Sequence, residues 1–142
     1  MSIEDIEKEI IEEFANFEDW MDKYSYIIEI GNSCPIIEEK EKTENNLIKG
    51  CQSRVWVSAK LNENGLMQIT ADSDAVITKG IITLLLRVFN NQKPQDVYSA
   101  ELKFVDEIGL KSHLSPTRSN GLLSMIKQIK LYALAFSVKQ NQ

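Results

Sequence analysis

At 142 residues, with 43% hydrophobic and 26% charged side chains, the chain has the size and composition of a single globular domain with a core of its own. A formal charge of −5 argues against a nucleic-acid partner, which calls for a basic face. No apolar run approaches the ~20 residues that span a bilayer, and the acidic opening of residues 1–10 does not read as a signal peptide. The expectation is therefore no membrane and a cytoplasmic location.

The charge is unevenly spread, with 14 acids against 5 bases in residues 1–50 and 7 against 11 in the remainder. Two cysteines, Cys34 and Cys51, and one histidine, His113, are too few for a structural zinc site, which usually takes four such ligands. A disulfide between the two is not expected where thiols are kept reduced.

Ser2, with Asp5 three positions on, resembles a capping box. Ile3, Ile6, Ile10, Phe14 and Phe17 follow at helical spacing, which predicts a helix over 3–17. Asp19 can cap a second helix with Trp20, Tyr24, Ile27 and Ile28 on its apolar stripe, and Gly31 suits its C-terminal end. Cys34 precedes a proline and is held in an extended link, where packing is its expected role. Residues 38–46 are polar and charged, and read as a solvated loop.

Residues 54–61 alternate, with Val55, Val57, Ala59 and Leu61 on one face. Asn62–Gly65 is a hairpin turn, and residues 66–71 return as a second, antiparallel strand. Ser73 or Asp74 is placed to cap a central helix over about 75–90, whose Gly80 points to close packing against another backbone. Pro94 suits the first turn of a short helix over 94–99. Residues 101–105 read as a third strand, residues 106–110 as a turn or short helix. A last helix after Ser119 turns Leu122, Leu123, Ile126, Ile129, Ala133 and Phe136 inward. The fold class expected is α+β, a small antiparallel three-stranded sheet with helices packed on one face.

The segment from Asn46 to Val57 holds the chemistry. Gly50 lets the backbone adopt positive φ, which places Cys51 at a loop tip in front of a strand. The thiolate is the nucleophile, and at a pKa near ~8.5 only a few per cent is ionised at neutral pH. Lys49 and Arg54 flank the loop and favour the anion, as do His113 and Arg118 if the fold brings them near. A hydrolytic dyad needs a paired histidine with an orienting third group, and a dithiol oxidoreductase needs a close resolving cysteine. Accepting a sulfur atom needs one reachable thiol and a partner that presents the sulfur, and it fits this inventory with least left over.

Gly50-Cys51-Gln52-Ser53, followed by Val55-Trp56, resembles the cysteine-loop signature of the SufE family of sulfur acceptors. Two further blocks match, Asp72 to Gly80 and His113 to Gly121, along with Pro94 to Val97. The similarity runs from about Trp20 to the last helix, and it implies a single SufE-like domain over 1–142 with a fold similar to the iron–sulfur scaffold IscU. It implies a pyridoxal-phosphate-dependent cysteine desulfurase (SufS-like) as partner and a SufB-containing iron–sulfur scaffold complex as recipient. Cys51 would carry the persulfide, with Gly50, Gln52, Ser53, Asp74, His113 and Arg118 shaping the loop or touching the partner. No cofactor of the chain's own is implied, since the pyridoxal phosphate belongs to the desulfurase. The chain then acts as a sulfur carrier and desulfurase activator rather than an enzyme with turnover of its own. The alternatives are an iron–sulfur scaffold, which needs more ligands than these, and an interaction module in which the cysteine is incidental.

Overall fold

In the computed structural model, which describes residues 1–140 except the side chains of Pro116 and Thr117, a β-hairpin leans against one long central helix. Helix α1 (Ile3–Ala15) begins at Ser2, whose hydroxyl accepts the Asp5 N–H at 3.1 Å. Helix α2 (Trp20–Ile30) begins at Asp19, which accepts the Asp22 N–H at 2.9 Å. Both caps follow the sequence pattern. Gly31 is right-handed, at φ −57°, so it is not a left-handed stop for α2. Its small size serves instead where α2 crosses α3 (Val76–Phe89), because a Cβ there would meet the Gly80 nitrogen at 3.1 Å. A Cβ on Gly80 would run into the Ile27 carbonyl. The two glycines let the helices touch backbone to backbone.

Strands β1 (Val55–Leu61) and β2 (Met67–Ser73) pair antiparallel, with Val57 opposite Ala71. The turn between them is held by Asn62, whose side chain accepts the N–H groups of Asn64 and Leu66 at 2.9 and 3.0 Å. Val55, Val57, Met67, Ile69 and Ala71 are buried, with β2 against α3 and β1 against the last helix, so one face of the hairpin meets the core. In α3 almost every position after Ile77 is buried, including Leu84, Leu85 and Phe89. Each such side chain contributes about 1.5–3 kcal/mol by leaving water.

The sheet has two strands, not the expected three. The outer edge of β2 is satisfied in other ways. Met67 exchanges backbone hydrogen bonds with Gln92 and Asn91, at 2.9 and 3.0 Å, and Ala71 does so with Pro35 and Ile37, at 2.9 and 3.1 Å. Between them the Asn90 side chain accepts the Ile69 N–H at 2.6 Å and donates to its carbonyl at 3.1 Å, standing in for a strand residue. Residues 101–105 are diverted by Glu7, a carboxylate only 5% exposed, whose Oε2 accepts the N–H groups of Lys103 and Phe104 at 2.6 and 2.9 Å. With those donors satisfied, the chain turns into a short helix α5 (Phe104–Glu107), after α4 (Pro94–Ser99) and before α6 (Leu110–His113).

Helix α7 (Pro116–Gln140) starts before Ser119. Ser115 is its cap, accepting the Arg118 N–H at 3.3 Å, and a proline occupies the first helical position. Leu122, Met125, Ile129 and Ala133 face the core, whereas Leu123 is 50% exposed. An 18-residue window within Arg118–Gln140 is by length and composition apolar enough to cross a membrane, a test that the core helix of a globular domain also passes. Here its buried stripe packs on α3, α4 and β1.

Candidate functional site

The loop that carries Cys51 hangs from a short stem. Leu47 bridges to Trp56, and the Ile48 N–H donates to the Val55 carbonyl at 2.8 Å, with Ile48 and Val55 both buried. The charged stretch before it is tied down as well. Lys42 pairs with Asp72 at 2.8 Å and lies 5.2 Å from the centre of the Trp56 ring, while the Tyr132 hydroxyl of α7 reaches Asn46 Oδ1 at 2.7 Å. A solvated loop was the expectation for residues 38–46; short 3-10 turns and these contacts hold it to the domain.

The far end of the loop is fixed to the entry of α3. Asp74 Oδ1 accepts the Arg54 N–H at 3.0 Å, and the Asp74 N–H donates back to the Arg54 carbonyl at 3.3 Å. The Ser73 hydroxyl donates to that same carbonyl at 2.8 Å. Asp74 is therefore spent on the loop base. The residue at the helix cap is Ala75, whose side chain makes no cap hydrogen bond, so neither Ser73 nor Asp74 caps α3 as the sequence suggested.

At the tip, Gly50 has φ +94°, a conformation that side-chain-bearing residues avoid, and a Cβ there would lie 2.8 Å from Ser124 Oγ on α7. Cys51 then turns its sulfur toward α7 and donates to the Gly121 carbonyl at 3.6 Å. A Cβ on Gly121 would sit 3.2 Å from that sulfur. Glycine inside a helix costs ~1 kcal/mol against alanine, so this position gives up helix stability to seat a thiol. Gln52 at the tip is exposed, and Ser53 is half-buried.

Burial pushes the Cys51 thiol up, and no neighbouring charge offsets it. The carbonyl acceptor favours the protonated form as well. The cations named from the sequence do not supply an anion-stabilising setting. His113 stacks on Trp20, with ring centres 4.4 Å apart, and its Nδ1 donates to the Gly109 carbonyl at 2.9 Å. Arg118 donates to the Tyr24 hydroxyl at 2.8 Å. Trp20 and Tyr24 lie one turn apart on α2, so His113 and Arg118 clasp α2 to the corner where α7 begins.

Cys34 is the other free thiol. It is 7% exposed, with its sulfur 3.5 Å from the Ala71 carbonyl, and burial pushes it up too, partly countered by Thr83 and Lys79. It packs, as expected. Among the described residues no three of His, Cys, Asp and Glu are gathered where they could hold a metal ion. Sequence reasoning missed Ser124 and the seating role of Gly121. The signal for the latter is a glycine inside an otherwise helical run, at the end of a block already matched.

A sheltered single thiol on a stem fixed at both ends can act as a nucleophile toward a sulfur that a partner brings to the tip. The chain resembles in fold the solution structure of a hypothetical protein from Thermus thermophilus, with a TM-score of 0.77 over 94% of this chain and 96% of that one, at 18% identity. The SufE family model, described as an Fe–S metabolism associated domain, matches residues 8–133. The chain belongs to the SufE family, and its role lies in iron–sulfur metabolism.

Proposed function

We propose that the protein is a sulfur acceptor and activator for a pyridoxal-phosphate-dependent cysteine desulfurase, with Cys51 as the carrier thiol. In the transfer, the Cys51 thiolate attacks the outer sulfur of the donor's cysteine persulfide. A new S–S bond forms on Cys51, the donor's S–S bond breaks, and the donor thiolate leaves. No external oxidant or reductant is consumed, because one persulfide is exchanged for another. The sulfur then passes to an iron–sulfur assembly scaffold, and removing it frees the desulfurase for another cycle. The chain carries sulfur without turning over alone, and a reducing cytoplasm suits such a thiol.

The observation that carries this reading is the seat of Cys51 between Gly50 and Gly121. Gly121 leaves room for the sulfur, Gly50 lets the tip turn close against Ser124, and burial favours the protonated thiol while no donor is bound. A partner that opens the tip, or sets a cation beside it, restores the nucleophile. Asp74, Gly50 and Ser53 hold or shape the loop in this scheme, and Gln52 faces the partner. His113 and Arg118 act at a distance by fixing the α7 start.

The test is intact-protein mass spectrometry after incubation with a cysteine desulfurase and L-cysteine. A gain of one sulfur on the Cys51 peptide, reversed by a thiol reductant and absent in Cys51→Ser, is expected. Full stimulation of the desulfurase by a folded Cys51→Ser variant would overturn the mechanism.

A further inference from the structure

Helix α7 is apolar on both faces, and only one of them meets the core. Leu123, Leu131, Leu134 and Val138 are 50%, 48%, 37% and 52% exposed, at spacings that put them on one side of the helix with Lys127 among them. A helix apolar all round is expected to be covered all round. Four large apolar side chains in one stripe differ from the scattered exposed residues of any surface.

The stripe is continuous with the thiol site. A groove of about 340 Å³ runs between α7 and the segment leading to Cys51. Leu131, Lys127 and Ser124 form one wall, with Lys49, Leu47 and Glu44 on the other. Ser124 is also the residue against which Gly50 rests. Neither Lys49 nor Lys127 makes an ion pair among the described residues, and Glu44 is the only acid among those lining the groove.

We propose that this face of α7 is the docking surface for the protein that delivers the sulfur, and that it takes an acidic, amphipathic helix of that partner. Leucines of the stripe fill the apolar side of such a helix, while Lys49 and Lys127 meet its acidic flank and set its register beside Cys51. The proposal rests on the sulfur-acceptor reading, and it adds where the donor sits and what chemistry it presents.

Binding is measured by fluorescence anisotropy with labelled Cys51→Ser protein and a cysteine desulfurase, so that no sulfur transfer is needed for the readout. Leu131→Glu and Lys127→Glu, both at solvent-facing positions, are compared with Ile36→Glu, which is exposed on the far edge of the hairpin. The expected result is affinity weakened by about tenfold or more for each α7 variant and unchanged for Ile36→Glu. Equal affinity for all three, while the wild type still gains sulfur, overturns the docking surface and leaves the acceptor role standing. Affinity lost in the α7 variants with no sulfur ever reaching wild-type Cys51 supports the surface and overturns the acceptor role. Unchanged desulfurase binding with loss of self-association, or of binding to anionic vesicles, assigns the face to a second copy or a lipid surface and overturns the proposal.

Discussion

The Cys51 thiol donates to the main-chain carbonyl of Gly121 at 3.6 Å, across 70 positions of sequence. The contact joins the loop tip to the second turn of α7, so the reactivity of the thiol depends on an element that shares no local sequence with it. Because the site is half-buried and the acceptor is a carbonyl, the resting state is the thiol rather than the thiolate.

Alkylation of Cys51 by iodoacetamide should therefore rise with pH about a midpoint above the ~8.5 of a free cysteine. Cys34, more deeply buried and also raised, should react more slowly still. The sign carries over to stability. The native state holds these protons more tightly than the unfolded chain, so their stabilisation is complete below the unfolded thiol pKa and is lost as pH climbs through the raised values. A Cys51 midpoint below that of the denatured protein would contradict the seat.

Gly121→Ala places a methyl 3.2 Å from the sulfur, closer than the contact tolerates without movement. The thiol has to shift outward. Alkylation at neutral pH should accelerate severalfold as the displaced thiol regains solvent. Helix propensity gains ~1 kcal/mol and offsets the strain, so the melting temperature should change little. Slower alkylation in this variant would mean that Gly121 does not hold Cys51 in place.

Asp74→Ala removes the acceptor of the Arg54 N–H at the base of the loop. The lost charge-assisted hydrogen bond is worth about 1–2 kcal/mol, reduced here by the exposure of the aspartate. Cys51 should alkylate faster while unfolding in urea remains a single transition. Amide exchange of Arg54 gives the local check, and protection equal to the wild type would rule out this role.

Much of the fold was legible because local patterns and tertiary packing agree. The caps at Ser2 and Asp19, the alternation of residues 54–61 and the broad stripe of α3 each describe their element directly. The thiol tip was legible for the same reason, since Gly50 before Cys51 marks a bend and the structure gives it φ +94°. The missing third strand was not. Whether residues 101–105 pair with a sheet depends on Glu7, nearly a hundred positions earlier, and on Asn90 holding the edge of β2. Long-range side-chain capture of backbone donors leaves no periodic trace. His113 and Arg118 were legible as a motif but not as a location, because their partners Trp20 and Tyr24 read as core.

Gly80→Ala tests the close packing of α3 against α2. The methyl would overlap the Ile27 carbonyl, which is backbone of α2 and cannot swing aside as a side chain could. Helix propensity favours the substitution by ~1 kcal/mol, and the forced separation of α2 from α3 opposes it by several times that. A loss of about 3 kcal/mol or more is expected, read from urea unfolding, against a total stability of only about 5–15 kcal/mol. A variant as stable as the wild type would show that α2 and α3 do not meet backbone to backbone.

Acid stability should trace to the carboxylate that joins α1, α2 and α3. Arg87 donates to both oxygens of Glu13, Nη1 to Oε1 at 2.9 Å, and the Tyr26 hydroxyl donates to Oε1 at 2.5 Å. The Arg87 hydrogen bonds hold the Glu13 carboxyl below its usual range, against the opposing effect of burial, and the same cluster pushes the Tyr26 hydroxyl up. A depressed carboxylate contributes stability that is fully present above its unfolded pKa, and the contribution fades as pH falls through the folded value. Asp72 is depressed as well, with burial outweighed by Lys42, the Ser73 N–H and Lys79, so the wild type titrates from two sites in this window. The difference between wild type and Glu13→Gln isolates one of them. At pH 7 the variant should be less stable by about 1–2 kcal/mol, discounted for partial exposure of the pair. The gap should narrow as pH falls below the ordinary carboxylate range and through the depressed folded value of Glu13, and urea midpoints at several pH values measure it. A gap that stays constant across that range would mean that the charge of Glu13 is not what Arg87 and Tyr26 recognise.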